Sequence, residues 1–567
     1  MSARNMILMA LVLVLGLGRA SAQALNTGAL QKSVQEGIKK AYPASVKIMG
    51  FDTVRKMQNS AQFSGAVVSA GGHILTAAHA IQPNRTYKVL FPDGKTCIAV
   101  GLGRIDLAAT PTQPDVAMMK IITPGKWPYA EMGWSSALKK DEPCISIAYP
   151  ETLGQPLPTV RFGYIADTLN KWGFIQSTCV MEPGDSGGAL YDYMGRLIGL
   201  HSRCDLSEDI NYEIPVDYYR KYWTALNQPK TYTVLPEVVD DVKKDPKASQ
   251  IGVYADLEHL GKTLDAVAAP FRSGMVVITS KVKGVDQKIN GTIIEPVGLG
   301  AKKYQGQHFI ISKSSYVGDM PMVATAKGAA VKAKIIARDA ANDLVIFGLD
   351  SKLEGGIKID INNADSLQLT QLGNILLLPR VDSLPKVSVL SSVGFAIPLK
   401  YSPGFFGASS VFQDNKIVLS RIQRGSPAMD SLKTGDVIQS VNGEELKLPP
   451  DYQRVLEKYL PGDVISVGII RDGQSMVRKV TLKARPMADP GHVAGRPIGG
   501  TSIRKDGFPK VFATDARLHP EECGGPVFDT KGVFYGIGEA RFSRTTALVV
   551  PVQQLRVFLK NSLTDQN

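Results

Sequence analysis

Apolar residues first recur at helical spacing at Leu30, Val34 and Ile38, ahead of Pro43, so a short amphipathic helix is predicted over 26–41. After Ser45 the period changes. Short runs rich in Val, Ile and aromatics (SVKIMGF, SGAVVSA, TYKVLF, CIAVGLG, VAMMKII) are separated by Gly, Pro and Asp turn signals. This texture predicts a mainly β unit, a pair of barrels, over 42–226. The stretch 227–261, which holds KTYTVLPEVVDDVKKDPKASQ, reads as a linker with a short helix. Strand texture returns over 262–401 in MVVITSKV, NGTIIEPV, HFIISKS, KAKIIARD and DLVIFGL; a distinct module occupies 402–486, and strands resume over 487–567.

Laid side by side, the two halves repeat. HILTAAHA, PDVAMMKI and EPGDSGGALYDYMGRLIGLHS in the first half match, in order, HFIISKSSY, NDLVIFGL and PEECGGPVFDTKGVFYGIGEA in the second. One fold is therefore expected twice, with the module at 402–486 inserted into the second copy before its final strands. At 567 residues the chain is too long for one core, and about three or four domains are expected.

Residues 1–22 combine Arg4, an apolar run from Met6 to Leu17 and the small-residue site Ala20-Ser21-Ala22. They read as a secretory signal cleaved between Ala22 and Gln23, leaving the helical segment 23–41 at the new N-terminus and a periplasmic or secreted protein. The apolar run is shorter than the ~20 residues of a spanning helix, so no stable membrane span is expected. Loss of Arg4 and Arg19 takes the formal charge from +13 to +11. The basic residues are dispersed, which fits a solvated surface and excludes a nucleic-acid stripe. Cys97, Cys144, Cys179, Cys204 and Cys523 sit at no metal-ligand spacing, and no cofactor constellation appears. Export permits disulfides; Cys179 with Cys204 is the expected pair and Cys97 with Cys144 a second.

A serine hydroxyl becomes a nucleophile at neutral pH when an imidazole takes its proton and a carboxylate fixes that imidazole's tautomer. The first half supplies all three in order: His79 in Thr76-Ala77-Ala78-His79, Asp115 in Pro114-Asp115-Val116-Ala117, and Ser186 in Gly184-Asp185-Ser186-Gly187-Gly188. These motifs, over nearly all of 42–226, resemble the trypsin-like serine proteases of the HtrA/Deg kind. The resemblance implies His79 as general base, Asp115 as its orienting group, Ser186 as nucleophile, and the amides of Gly184 and Ser186 as the oxyanion hole. No Ile-Val-Gly-Gly type N-terminus follows an activation site, so Asp185 is not expected to pair with a liberated α-amino group. Val180 stands where trypsin holds an aspartate, which argues against tryptic specificity. His201 stands where glutamyl endopeptidases bind an acidic side chain, although a strand histidine satisfied by its neighbours is the favoured reading.

In the second copy the aspartate persists as Asp343, the histidine position falls at Ser314 or Ser315, and Cys523 takes the nucleophile position. A thiol without an imidazole partner lacks its usual activation, so this copy reads as a pseudo-protease. In 402–486, Gly425-Ser426-Pro427-Ala428, Leu432-Lys433-Thr434-Gly435-Asp436-Val437-Ile438 and Ser440-Val441-Asn442-Gly443 resemble a PDZ domain. Its carboxylate-binding loop would be Phe405-Phe406-Gly407, receiving a peptide C-terminus. The fold expected is thus mainly β: two trypsin-like double β-barrel domains, the second interrupted by a PDZ-like α+β module. The function expected is an endopeptidase acting on exposed or unfolded polypeptide, with a silent peptide-binding chaperone or scaffold as the alternative. Oligomers are compatible with the resemblance.

Overall fold

The computed structural model describes residues 26–107, 114–254, 257–299, 304, 306–350, 353 and 355–563, apart from 326–329, 487–492 and 496. The proposed signal segment lies outside the described residues. The predicted helix is present as α1 (Thr27–Ala41). Asn26 Oδ1 accepts the Ala29 amide at 3.0 Å, Lys39 and Lys40 face the negative helix end, and Leu30, Val34, Ile38 and Ala41 are buried.

Six strands follow: β1 (Ser45–Asp52), β2 (Met57–Val67), β3 (His73–Ala77), β4 (Thr86–Leu90), β5 (Thr96–Ile105) and β6 (Val116–Ile121). They run in the order β5-β4-β1-β2-β3-β6, and pairing of β5 with β6 closes a barrel. A second closed barrel has the order β10-β11-β12-β9-β8-β7, from β7 (Pro143–Ala148), β8 (Thr159–Asp167), β9 (Ile175–Ser177), β10 (Ala189–Asp192), β11 (Leu197–Cys204) and β12 (Asn211–Pro215). Alternating residues such as Val46 and Ile48 fill the first barrel; Cys144, Ile165, Ile175, Leu190 and Ile198 fill the second.

The stretch after Leu226 does not run free. Thr231 and Tyr232 pair with β5, Asp245 bonds Arg196, and Lys247 bonds Glu131, so opposite charges lay it back over the barrels. Its helices are Leu260–Thr263 and Asp265–Arg272, a little later than the sequence suggested.

The second half again holds two sheets. One runs, in order, through Val331–Lys332, Met322–Thr325, Met275–Val282, Val285–Val297, Phe309–Lys313, Leu344–Gly348 and Lys334–Asp339, with Ile357–Asp360 added to Val285–Val297. Among the described residues it stays open, unlike the first barrel. The other runs Lys386–Val389, Ile375–Leu378, Pro526–Asp529, Phe534–Arg541, Ala547–Pro551, Phe508–Thr514 and Phe395–Ile397. Its first six strands follow the order β8-β7-β10-β11-β12-β9, and Phe395–Ile397 is added beyond them.

Between Phe395–Ile397 and Phe508–Thr514, which pair with each other, the chain leaves to build a separate sheet from Ala408–Gln413, Lys416–Ile422, Val437–Val441, Val464–Arg471 and Gln474–Thr481, with helix Pro449–Leu456. Asp506 clasps the exit: its carboxylate accepts the amides of Lys400, Tyr401 and Ser402 and the Ser402 hydroxyl.

The halves meet over an extensive surface, and one apolar cluster contains Val34 and Ile145 from the first and Leu376 and Phe512 from the second. At its edge Arg541, 1% exposed, donates to both oxygens of Glu208 at 2.9 and 3.1 Å, and Arg544 donates to the carbonyls of Asp205 and Ser207 at 2.7 and 2.8 Å.

Candidate active site

His79 lies in a one-turn 3-10 segment directly after β3, Asp115 directly before β6, and Ser186 in the loop leading to β10. Pairing of β3 with β6 brings the first two together: the Asp115 carbonyl accepts the Ala78 amide at 3.0 Å, and its Oδ1 accepts the His79 amide at 2.9 Å. Asp115 Oδ2 is 2.6 Å from His79 Nδ1, and His79 Nε2 is 2.9 Å from Ser186 Oγ. A carboxylate can only accept here, so Nδ1 carries the proton and Nε2 is left to accept from the serine hydroxyl. Sequence reading missed Ser202, whose hydroxyl donates to Asp115 Oδ2 at 2.7 Å. Nothing in its own motif marks that direction; the bulge in β11 after His201 sets it.

The nucleophile loop is shaped by glycine. Gly184 has φ +96°, and a Cβ there would stand 2.5 Å from the Glu151 nitrogen and 2.6 Å from the Tyr149 oxygen. Gly187, at φ +74°, packs as tightly on Ser64 and Thr76. Among the described residues, the amides of Gly184 and Ser186 have no acceptor, which leaves two donors beside the serine hydroxyl.

Burial works against a charged His79 imidazole, but the hydrogen bond and charge of Asp115 outweigh it and raise its pKa above the usual 6.5. Burial also opposes the Asp115 charge, yet His79 and Ser202 together hold this carboxyl below its ordinary value. The base works only when neutral, so activity is expected to fall as pH falls through the His79 pKa. The acid limb of kcat/KM should have its midpoint above 6.5 and move down in Asp115→Asn; an unmoved midpoint would contradict the pairing.

His201 is wholly buried, with Nε2 2.6 Å from Ser146 Oγ and Nδ1 3.4 Å from Glu213. Burial and nearby Arg161 push it down to about 3. It is an interior residue and presents no surface to an acidic side chain. Val180, 6% exposed, gives its carbonyl to Arg161 and lines a cavity between the halves.

The expected disulfides are not formed. All five cysteines are free, because Cys179 turns into the second barrel, 3.8 Å from Cys144 Sγ, while Cys204 sits at the open end of β11. Cys97 belongs to the core of the other barrel, out of reach of Cys144.

In the second half, Ser315 stands as His79 does: Asp343 Oδ1 accepts its amide at 2.8 Å, Oδ2 accepts its hydroxyl at 2.7 Å, and the Asp343 carbonyl accepts the Ser314 amide. Gly524 packs on Asn290 and Ser312 as Gly187 does on Ser64 and Thr76. Cys523, before Gly524, is fully buried, and burial pushes its thiol up to about 12. Lys313 fills the space between, 2.7 Å from both Asp343 and Glu539. Burial opposes its charge, but the two carboxylates hold it well above the usual lysine range. Among the described residues no imidazole is bonded to Ser315, Asp343 or Cys523.

In the inserted module, Phe406 is buried edge-to-face on Tyr452, and Gly407 turns with φ +78°. The Phe405 amide is bound to the Lys483 carbonyl, whereas those of Phe406 and Gly407 have no acceptor among the described residues. Strand Ala408–Gln413 pairs on one edge only, and its other edge runs beside helix Pro449–Leu456, from which Tyr452 bonds the Ala408 carbonyl.

Comparison with known proteins agrees with this division. Residues 63–200 match the family model for the trypsin-like peptidase domain, and residues 404–482 that for the PDZ domain. The protein named "Probable periplasmic serine endoprotease DegP-like" from Marinomonas sp. is 22% identical over 436 residues, which cover 74% of this chain and 79% of that one. Serine protease HTRA1 from Xenopus laevis is 29% identical over 203 residues, 33% of this chain and 42% of its own length. The crystal structure of the serine endoprotease from Yersinia pestis aligns over 80% of this chain and 98% of that one at 15% identity, with a TM-score of 0.29. The two family models thus place a trypsin-like peptidase domain at 63–200 and a PDZ domain at 404–482, and the chain is distantly similar to DegP-like and HTRA1 serine proteases.

Proposed function

We propose that this distant relative of the DegP-like and HTRA1 proteases is itself an exported serine endopeptidase, periplasmic or secreted, that cleaves exposed or unfolded polypeptide segments through an acyl-enzyme. The observation that carries the reading is the unbroken chain from Asp115 through His79 to Ser186, beside two amides with no acceptor. Ser186 Oγ attacks the scissile carbonyl while His79 Nε2 takes its proton and Asp115 steadies the imidazolium. Charge on the carbonyl oxygen falls to the Gly184 and Ser186 amides, each worth about 10²–10³ in kcat at such sites. The imidazolium then protonates the leaving amine, and water repeats the sequence on the ester.

The PDZ domain, with the Phe406 and Gly407 amides and the open edge of Ala408–Gln413, would receive a peptide C-terminus as an added strand. The second half is read as a degenerate trypsin-like copy that keeps Ser315, Asp343 and Cys523 at the three positions, with no imidazole bonded to them among the described residues; its strand order and glycine packing support this. In the full chain a fluorophosphonate probe should label Ser186, and Ser186→Ala should lose both labelling and casein cleavage. An unlabelled wild type that still suppresses client aggregation would replace this reading with a silent peptide-binding scaffold.

A further inference from the structure

Beneath the nucleophile loop lies an ion pair that the catalytic chain does not use. Arg161, projecting from β8 and 1% exposed, forks onto the fully buried Asp185: Nη1 lies 2.7 Å from Oδ2 and Nη2 3.0 Å from Oδ1. Nη1 also donates to the Val180 carbonyl at 3.1 Å and Nη2 to Thr159 Oγ1 at 3.0 Å. Asp185 Oδ2 in turn accepts the Glu182 amide at 2.9 Å. One guanidinium thus ties the loop down at Val180 and at Asp185, and through that carboxylate at Glu182. Burial pushes Asp185 up to about 6 even with Arg161 beside it.

The strand that carries Arg161 is held on both sides of it by the second half of the chain. The Val160 amide donates to the Ser391 carbonyl at 3.0 Å, and the Phe162 amide to Asp515 Oδ2 at 2.9 Å. Asp185 sits between Gly184 and Ser186, whose amides converge beside the serine hydroxyl. If its carboxylate left the interior, the two peptide groups on either side would turn with it and the amides would diverge.

We propose that Arg161, seated by the second half of the chain, is the positioning residue that keeps the oxyanion amides aligned, so that the site is competent without a newly cut N-terminus. This rests on the endopeptidase reading. A carboxylate so close to the nucleophile needs a buried cation, and here the fold supplies one from within. The planar fork suits it: two parallel hydrogen bonds fix the orientation of Asp185 as well as its charge.

The test is Arg161→Ala in the full chain, with kcat and KM measured on a peptide amide. Expected is a fall in kcat of about 10²–10³-fold with KM within about threefold, since the loss falls on transition-state donors. Methylguanidinium should restore at least about tenfold of the lost kcat, where sodium chloride at the same strength restores none. The cavity of about 380 Å³ that Arg161 lines between the halves gives the added ion its way in. A folded variant with kcat within threefold of wild type overturns the proposal, as does a loss that methylguanidinium does not repair. If Arg161→Ala does not fold, Arg161→Lys decides: an ammonium cannot fork, so kcat should drop about tenfold at unchanged KM, and an unchanged kcat overturns the proposal. An unlabelled wild type overturns the endopeptidase reading and this one with it; a labelled wild type beside an equally active Arg161→Ala overturns this one alone.

Discussion

Replacing His79 by alanine is expected to lower kcat on a peptide amide by roughly 10⁶-fold while KM changes little. The geometry makes this the largest single kinetic effect available besides loss of Ser186 itself. The Ser186 hydroxyl has one base, at 2.9 Å, and without it the proton has nowhere to go as the C–O bond forms. Loss of His79 and Ser186 together should cost no more than either alone, because the two act as one unit. Asp115→Asn should cost about 10⁴-fold, since an amide in that place favours the wrong imidazole tautomer. Residual turnover above the uncatalysed rate would belong to the Gly184 and Ser186 amides. Steady-state kinetics at matched concentrations of folded protein checks all four variants, and a His79→Ala enzyme keeping a tenth of its kcat would remove His79 from the reaction.

The largest expected effect on stability lies away from the cleft, at Glu208. Its carboxylate is the ionic partner of Arg541, which is buried with it where the halves meet, and it also accepts the Ile498 amide at 3.0 Å. Burial already disfavours the Arg541 charge, and Glu208 offsets that penalty. Glu208→Ala leaves the guanidinium in the interior without a counter-charge, at a cost of about 3–5 kcal/mol. Removing both charges, as Glu208→Ala with Arg541→Met, should recover most of it. The four tryptophans (Trp127, Trp134, Trp172 and Trp223) all fall in the first half, so their fluorescence follows that half while far-UV circular dichroism follows the whole chain. In Glu208→Ala the two urea transitions should separate, the dichroism midpoint falling first; coincident midpoints at the wild-type position would contradict the estimate.

That His79, Asp115 and Ser186 meet was legible because each stands in a local motif, and short motifs survive being read without coordinates. What escaped was direction. Cys179 and Cys204 flank the nucleophile loop in sequence, yet strand pairing turns one inward and leaves the other at the open end of β11. Arg161 alternates with the apolar Val160, Phe162 and Tyr164, a pattern that reads as a solvent-facing position; that it turns inward, and its partner 24 residues on, could be named only once the barrel had closed. In the second half Ser314 and Ser315 follow the strand Phe309–Lys313, and Lys313 reads as the polar end of the apolar run HFIISKS. That it is buried follows from the two carboxylates that meet it, one of them on a strand 226 residues away. The path of the linker escaped for a related reason: dispersed charges look solvated until their partners on the barrels are in view.

The clasp at Asp506 bears on how a captured peptide would travel. A module hung from one tether can tumble, and its cargo sweeps a volume. The PDZ domain leaves and re-enters between two strands that pair with each other, so its entry and exit are pinned side by side. Such a joint favours the swing of a door over the sweep of a flail, and Lys283, 2.7 Å from Asp463, latches the domain to the second half. Cargo held at the Phe406–Gly407 turn would then sweep an arc, and the length of chain between its held end and the point where it is cut would be set by the radius of that arc.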